Sequence, residues 1–152
     1  MTIKKLFKTG LLIVALPLIS CGVDADTNKE VHSSDAVYPA VGPYSQMVQA
    51  GDLYFLSGVI PLNLDGSEIQ GESIEDQTHQ VLTYISEMLQ SQEMTLSNVV
   101  MSTVYMTDLN EFNQMNSVYG EYFSEQPPAR ATVEVSRLPR GVRIEISVIA
   151  SK

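Results

Sequence analysis

Four arginines close together near the C-terminal end are the side chains best suited to chemistry. The chain has no Lys or Arg between Glu30 and Ala129, so this local cluster of cations could capture a small anion. A guanidinium group binds a carboxylate through two parallel hydrogen bonds. The alternative is that the arginines pair across strands with Glu134, Glu145 and neighbouring acids. The four are Arg130, Arg137, Arg140 and Arg143.

Arg130 differs from the other three in its position. It follows the rigid segment 127–129, which contains two prolines, and occupies the first position of a predicted strand, where a side chain can reach a pocket or an interface. We therefore favour anion binding for Arg130, and structural ion pairs for the other three arginines.

Other chemistries have little support in the sequence. Two histidines, His32 and His79, are too few for a usual multi-ligand metal site, and surface positions are the simpler interpretation of both. The sequence has no Walker or Rossmann glycine-rich loop and no nucleophile-elbow motif. Neither a metal nor a cofactor is predicted.

Two helices and a strand between them are predicted in the middle of the chain. Ser73 and Asp76 form a capping box at the start of the first helix, and Asp108 with Glu111 repeats this signature before the second. The predicted strand at 99–106 has apolar residues at both odd and even positions, as expected when both of its faces are buried. The apolar stripe of the first helix comprises Ile74, Val81, Leu82, Ile85, Met88 and Leu89.

Strands flank this central region. One is predicted at 54–57, and two alternating strands close the chain, each with its apolar side toward the helices and its polar side away. The predicted fold is α+β, a two-layer sandwich with a mixed sheet and two helices on one face. The polar sides of the closing strands carry Arg130, Thr132 and Glu134, then Arg143, Glu145 and Ser147.

The N-terminal 20 residues have the layout of a secretory signal peptide: lysines precede an apolar run at 11–19. Residues 18–21 (LISC) resemble the lipobox of bacterial lipoproteins. Cys21 is the only cysteine, and we predict that it is lipidated. The following Gly22, rather than Asp, favours anchoring on the periplasmic face of the outer membrane.

Cleavage after residue 20 would remove three lysines and change the net charge from −9 to −12. Such acidity opposes binding to nucleic-acid phosphates, so no nucleic-acid partner is expected. The polar composition of residues 21–36 predicts a lipidated cysteine and a flexible tether, and residues 37–152 form the predicted domain.

Five motifs follow one another through the domain and together resemble the RidA family, also called YjgF, of enamine/imine deaminases. The resemblance covers about residues 38–150. The motifs are VGPYSQ at 41–46, LSGVIP at 56–61, PARATVEV at 128–135, RLP at 137–139 and IEI at 144–146.

The resemblance implies a chorismate-mutase-like fold and a homotrimer with sites between subunits. It also implies a reaction: hydrolytic deamination of reactive 2-imino or 2-enamino acids to 2-keto acids and ammonia, a form of metabolite damage control. The implied catalytic residues are Arg130, which would bind the substrate carboxylate, Glu145, which would orient the attacking water, and Tyr44, which would line the pocket. The implied substrate-binding residues are Ser57, Gly58, Asn116 and Thr132.

Departures from the family pattern keep alternatives open. Val59 stands where glutamine is frequent, Thr132 stands where several members have cysteine, and an exported protein would meet other metabolites than its cytoplasmic relatives. A non-catalytic module that binds a carboxylate metabolite is the first alternative; a chaperone-like or ribonuclease role is weaker. The presence of both Arg130 and Glu145 favours the enzyme, because capture alone needs only the arginine.

Overall fold

The computed structural model describes residues 29–152. The predicted signal peptide, Cys21 and the first part of the predicted tether lie outside the described residues. Within residues 29–152, no helix is long and apolar enough to cross a membrane. The elements are β1 (Lys29–His32), β2 (Met47–Ala50), β3 (Leu53–Val59), α1 (Ile74–Gln90), β4 (Val99–Met106), α2 (Phe112–Tyr122), β5 (Ala129–Glu134) and β6 (Ile144–Ser151).

The strands form one mixed sheet in the order β1-β2-β3-β6-β4-β5. Neighbouring strands are antiparallel except β4 and β5, which are parallel and are joined through α2. A parallel pair needs such a crossover connection. The two helices pack on one face of the sheet, so the predicted α+β architecture is confirmed.

The core lies between the helices and this face of the sheet. All six residues of the predicted α1 stripe are buried, and they pack with alternate residues of β6, among them Ile144, Ile146 and Val148. The capping box is present: Asp76 N donates to Ser73 Oγ at 3.1 Å, and Ser73 N donates to Asp76 Oδ2 at 3.3 Å. The period of the apolar residues therefore predicted correctly which side of α1 and β6 is buried.

The predicted tether is wrong for residues 29–32, which form β1 and pair with β2. A strand at the edge of the sheet needs no buried apolar side, and three of its four residues are exposed. β1 is therefore held by backbone hydrogen bonds to β2, and it lacks the alternating apolar residues by which a strand is recognised in a sequence.

The predicted orientation of β5 is also wrong. Arg130 pairs in register with Ser102, and Thr132 with Val104, both of which are buried on the helix side. The polar residues of β5 therefore face α2, and Ala131 and Val133 face away. β5 is the edge strand beyond β4, where the helix layer leaves room for long polar side chains.

The strand β4 is buried on one face only. Its helix side is closed, but Met101, Thr103 and Tyr105 on the other side are only half-buried. Apolar residues therefore lie on both faces of β4, but only the face toward the helices is buried. No other part of residues 29–152 covers the opposite face.

Candidate active site in two clefts

The first cleft, here called the Arg130 cleft, lies at the edge of the sheet beside α2. It has a volume of about 400 Å³. Arg130 Nη2 donates to Asn116 Oδ1 at 2.7 Å, and the guanidinium carbon lies 4.5 Å from the centre of the Tyr119 ring. Stacking on an aromatic ring fixes the guanidinium plane and leaves its other N–H groups free.

Tyr119 is itself held from the core side. Its hydroxyl lies 2.7 Å from Ser102 Oγ, and its ring stacks on Phe123 with 4.6 Å between centroids. Among residues 29–152, no carboxylate forms an ion pair with Arg130. Within one chain, the alternative of a structural ion pair is thus not realised, and the charge is available to an anion.

The second cleft, here called the Glu145 cleft, has a volume of about 230 Å³ and lies beside the bulge in β3. The Glu145 side chain passes directly over Gly58, where a Cβ would overlap Glu145 Oε1 and lie 2.7 Å from Cδ. Only glycine permits this approach. The lining residues are Tyr38, Val41, Tyr44, Ser57, Gly58, Ile60, Pro139 and Glu145.

Burial raises the pKa of the Glu145 carboxyl. No side chain among residues 29–152 forms an ion pair with Glu145 to offset the loss of water. A carboxyl in such surroundings takes up and releases protons closer to neutral pH, which suits a general acid or base.

Tyr44 and Ser57 occupy the positions expected of pocket residues. Tyr44 is 43% exposed, and its hydroxyl accepts a hydrogen bond from Val41 N at 3.3 Å. Ser57 Oγ donates to Ser45 O at 2.7 Å, so it ties β3 to the segment that carries Tyr44. Ser57 therefore connects β3 to the Tyr44 segment beside the cleft, and its role in substrate binding stays a prediction.

The structure divides the predicted site residues between the two clefts. Tyr44, Ser57 and Gly58 line one cleft with Glu145, whereas Asn116 lies with Arg130 in the other. Because Ser102 and Tyr105 on β4 pair with Arg130 and Glu145 respectively, the two charged residues project from opposite faces of the sheet. Both were expected on strand sides that point away from the helices; this holds for Glu145, whereas Arg130 is on the helix side.

Thr132 lies on the same side of β5 as Arg130. Its hydroxyl oxygen is buried and has no hydrogen-bond partner among residues 29–152. Buried polar atoms are nearly always paired in native proteins, so this hydroxyl is a hydrogen-bonding group that the described residues leave unused.

The prediction of structural ion pairs for Arg137, Arg140 and Arg143 is confirmed for Arg143 alone among residues 29–152. Arg143 forms an ion pair with Glu111 at 2.6 Å rather than with Glu145. Arg140 donates to Gly66 O at 3.2 Å. Within the described part of the chain, no group of three or more His, Cys, Asp or Glu side chains could hold a metal ion.

Two residues of the site were not predicted from the sequence. Tyr38 lines the Glu145 cleft from the segment before the GPYSQ motif. Gln46 bridges this segment: its Oε1 accepts from Ser34 N at 2.7 Å and its Nε2 donates to Tyr38 O at 2.8 Å. The motif containing Gln46 was recognised, but nothing in its spacing indicated which segment the amide would hold.

The family model described as "Endoribonuclease L-PSP" matches residues 34–152. The RutC family protein SSO3206 of Saccharolobus solfataricus is 48% identical over 124 residues, which cover 82% of this chain and 98% of that protein. The chloroplastic Reactive Intermediate Deaminase A of Arabidopsis thaliana is 41% identical, with 89% of this chain and 73% of that protein covered.

A solved structure is also similar. The crystal structure of E. coli TdcF with bound serine matches with a TM-score of 0.76 and 32% identity, and the match covers 81% of this chain and 98% of TdcF. The fold is thus shared with known proteins over most of the described residues.

Proposed function

The chain belongs to the endoribonuclease L-PSP family, the group of RutC, YjgF and RidA proteins, and from this membership we propose that it hydrolyses reactive 2-imino and 2-enamino acids to 2-keto acids and ammonia. The observation that carries the proposal is the pair of clefts. One presents an arginine without an acidic partner among residues 29–152, and the other a half-buried carboxyl with a raised pKa.

The proposed reaction needs few protein groups. Water adds to C2 of the imine, the resulting carbinolamine expels ammonia, and a 2-keto acid remains. Arg130 would hold the substrate carboxylate through two hydrogen bonds. Glu145 would take a proton from the attacking water and return one to the departing nitrogen. An imine is electrophilic, so orientation and proton transfer suffice.

We further propose that the protein is a homotrimer in which the Arg130 cleft of one chain meets the Glu145 cleft of its neighbour. Two features support this arrangement: the two residues lie on opposite faces of the sheet, and the face away from the helices is apolar and open. Exposed apolar patches of this kind commonly mark interfaces. The exposed members are Val31, Leu53, Phe55 and Val133.

Lipidation of Cys21 and an outer-membrane, periplasm-facing location remain proposals based on the sequence. They place the reaction outside the cytoplasm, where the pool of imines differs. The test is to compare the partition of the wild-type chain and of Cys21→Ser between membrane and soluble fractions. Membrane association of the variant equal to that of the wild type would contradict the lipid anchor.

The deaminase proposal is tested with the chain lacking residues before Gly22. An amino-acid oxidase generates the imino acid in situ, semicarbazide competes for it, and the release of keto acid is followed. We expect faster release with the wild type and a loss of about 100-fold or more in Arg130→Ala, because the carboxylate loses its charged partner. Equal rates with the wild type and with no protein would overturn the proposal.

A binding module is the second candidate, and one observation favours it. The similar protein TdcF was solved with bound serine, an amino acid with a carboxylate. If this chain binds carboxylate metabolites with Arg130 but accelerates no imine hydrolysis, the binding module is the better description.

A further inference from the structure

The hydroxyl of Tyr38 is a buried hydrogen-bond donor at the Glu145 cleft. Tyr38 is only 5% exposed, and it lines the same cleft as Glu145. Among residues 29–152, its hydroxyl takes part in one hydrogen bond, in which it accepts from Ile60 N at 3.0 Å. The phenolic proton thus has no acceptor in the described chain. An unpaired buried donor costs about 1–3 kcal/mol.

Nearby hydroxyl groups, unlike that of Tyr38, have an acceptor for their proton. Ser57 Oγ donates to Ser45 O, and the Tyr84 hydroxyl donates to Leu62 O, each at 2.7 Å. The Tyr44 hydroxyl belongs to a side chain that is 43% exposed, so water can accept its proton. Of these four hydroxyls, that of Tyr38 is the buried one whose proton has no acceptor among residues 29–152.

The position of Tyr38 is fixed by its surroundings. Its ring meets that of Tyr84 edge-on at 5.7 Å between centroids, and its carbonyl accepts from Gln46 Nε2 at 2.8 Å. Burial raises the pKa of Tyr38 to about 12, so the hydroxyl stays protonated at any physiological pH. A donor held in place before the ligand arrives needs no reorganisation during the reaction.

We propose that the Tyr38 hydroxyl donates a hydrogen bond to the heteroatom on C2 of the bound substrate, which is the imine nitrogen before hydrolysis and the keto oxygen afterwards. This inference rests on the proposed function. Donation to the imine nitrogen withdraws electron density from C2 and favours the addition of water. Val41, Ile60 and Pro139 give the cleft apolar walls, which strengthen a hydrogen bond made between them.

The test compares two ligands that differ only at C2. The dissociation constants of 2-oxobutanoate and butanoate are measured for the wild type, Tyr38→Phe and Tyr84→Phe. We expect the wild type to bind 2-oxobutanoate more tightly than butanoate. In Tyr38→Phe, the ratio of the two dissociation constants should fall about five- to tenfold, which corresponds to the loss of one hydrogen bond. Tyr84→Phe is the matched control, because it also removes a buried hydroxyl but does not line the cleft.

Three results would overturn the inference: no preference for 2-oxobutanoate over butanoate in the wild type, an unchanged preference in Tyr38→Phe, or an equal loss in both variants. The wild-type comparison does not depend on the folding of any variant. Turnover of an imino acid is measured separately. A wild type that prefers the oxo acid through Tyr38 but hydrolyses no imine would end the deaminase proposal while leaving the donor role intact.

Discussion

At the scale of single residues, the Glu145 cleft combines a carboxyl that resists ionisation with a glycine that makes room for it. Burial raises the pKa of Glu145, and the absence of a Cβ at Gly58 lets the side chain cross β3 at close range. A carboxyl that is easily protonated is suited to proton transfer but costs folding stability when it is charged.

The variant Glu145→Gln tests the role of this carboxyl in proton transfer and its cost to folding stability. The folded-state pKa is above the unfolded-state value, so the carboxyl contributes stability below the unfolded pKa and loses it as the pH rises through the folded pKa. We therefore expect the variant to melt at a higher temperature than the wild type at about pH 8, with a smaller difference at about pH 4. We also expect kcat to fall about 100-fold or more.

Thermal unfolding at both pH values and the keto-acid assay measure these effects. Glu68→Gln, at an exposed position, serves as the control and should change neither the melting temperature nor the rate. A variant of Glu145 that melts below the wild type at the higher pH would show that the charged form is favoured in the folded protein.

At the scale of elements, the segment between β1 and β2 brings Tyr38 and Tyr44 to the cleft. The Gln46 side chain bonds it at two points: its Oε1 accepts from Ser34 N at 2.7 Å, and its Nε2 donates to Tyr38 O at 2.8 Å. A segment without helix or strand structure is positioned by such side-chain bonds to its backbone. The precision of the cleft therefore depends on the Gln46 amide.

Gln46→Ala should loosen this segment. Loss of two partly buried hydrogen bonds is expected to cost about 1–3 kcal/mol of unfolding free energy, and misplacement of the tyrosines to raise KM about tenfold. Hydrogen exchange of residues 34–44 and steady-state kinetics provide the measurements. The matched control is Gln49→Ala, which removes bonds to His32 and Gly51 away from the cleft. The same rise in KM in both variants would argue against a specific role for Gln46.

At the scale of the whole molecule, the residues of the proposed site are divided between two separate clefts of the chain. Arg130 and Glu145 lie on opposite faces of one sheet, and the sheet face that carries Glu145 is apolar and open. A heterologous interface places one face of a chain against a different face of the next, and when its rotation closes into a ring it would pair the two clefts.

Mixing two inactive variants tests this arrangement. Arg130→Ala and Glu145→Gln chains, co-expressed in equal amounts, form random mixed rings. A shared site then pairs an intact Arg130 with an intact Glu145 in about one case in four, so about a quarter of wild-type activity should return. Each variant alone is the control. Failure of the mixture to regain activity, with mixed assemblies confirmed by native mass spectrometry, would place the whole site in one chain.

Apart from the candidate site residues, which the family resemblance named, the sequence by itself determined the order of the central elements and the buried sides of α1 and β6. These features depend on local spacing: a capping box, a helical stripe and an alternating strand each require only neighbours along the chain. The tertiary structure decided the rest. The edge strand β1 is held by backbone pairing, which leaves no pattern in its side chains.

The sides from which Arg130 and Glu145 project were likewise decided by the tertiary structure. Alternation along β5 defines two sides but does not say which one meets the helices; the register with Ser102, beside α2, determines this. Tyr38 reaches the cleft because Gln46 holds its backbone from β2, across a loop. Which side of a strand is covered, and which loop residue enters a cleft, depends on contacts between segments far apart in the sequence, and these exist only in the folded chain.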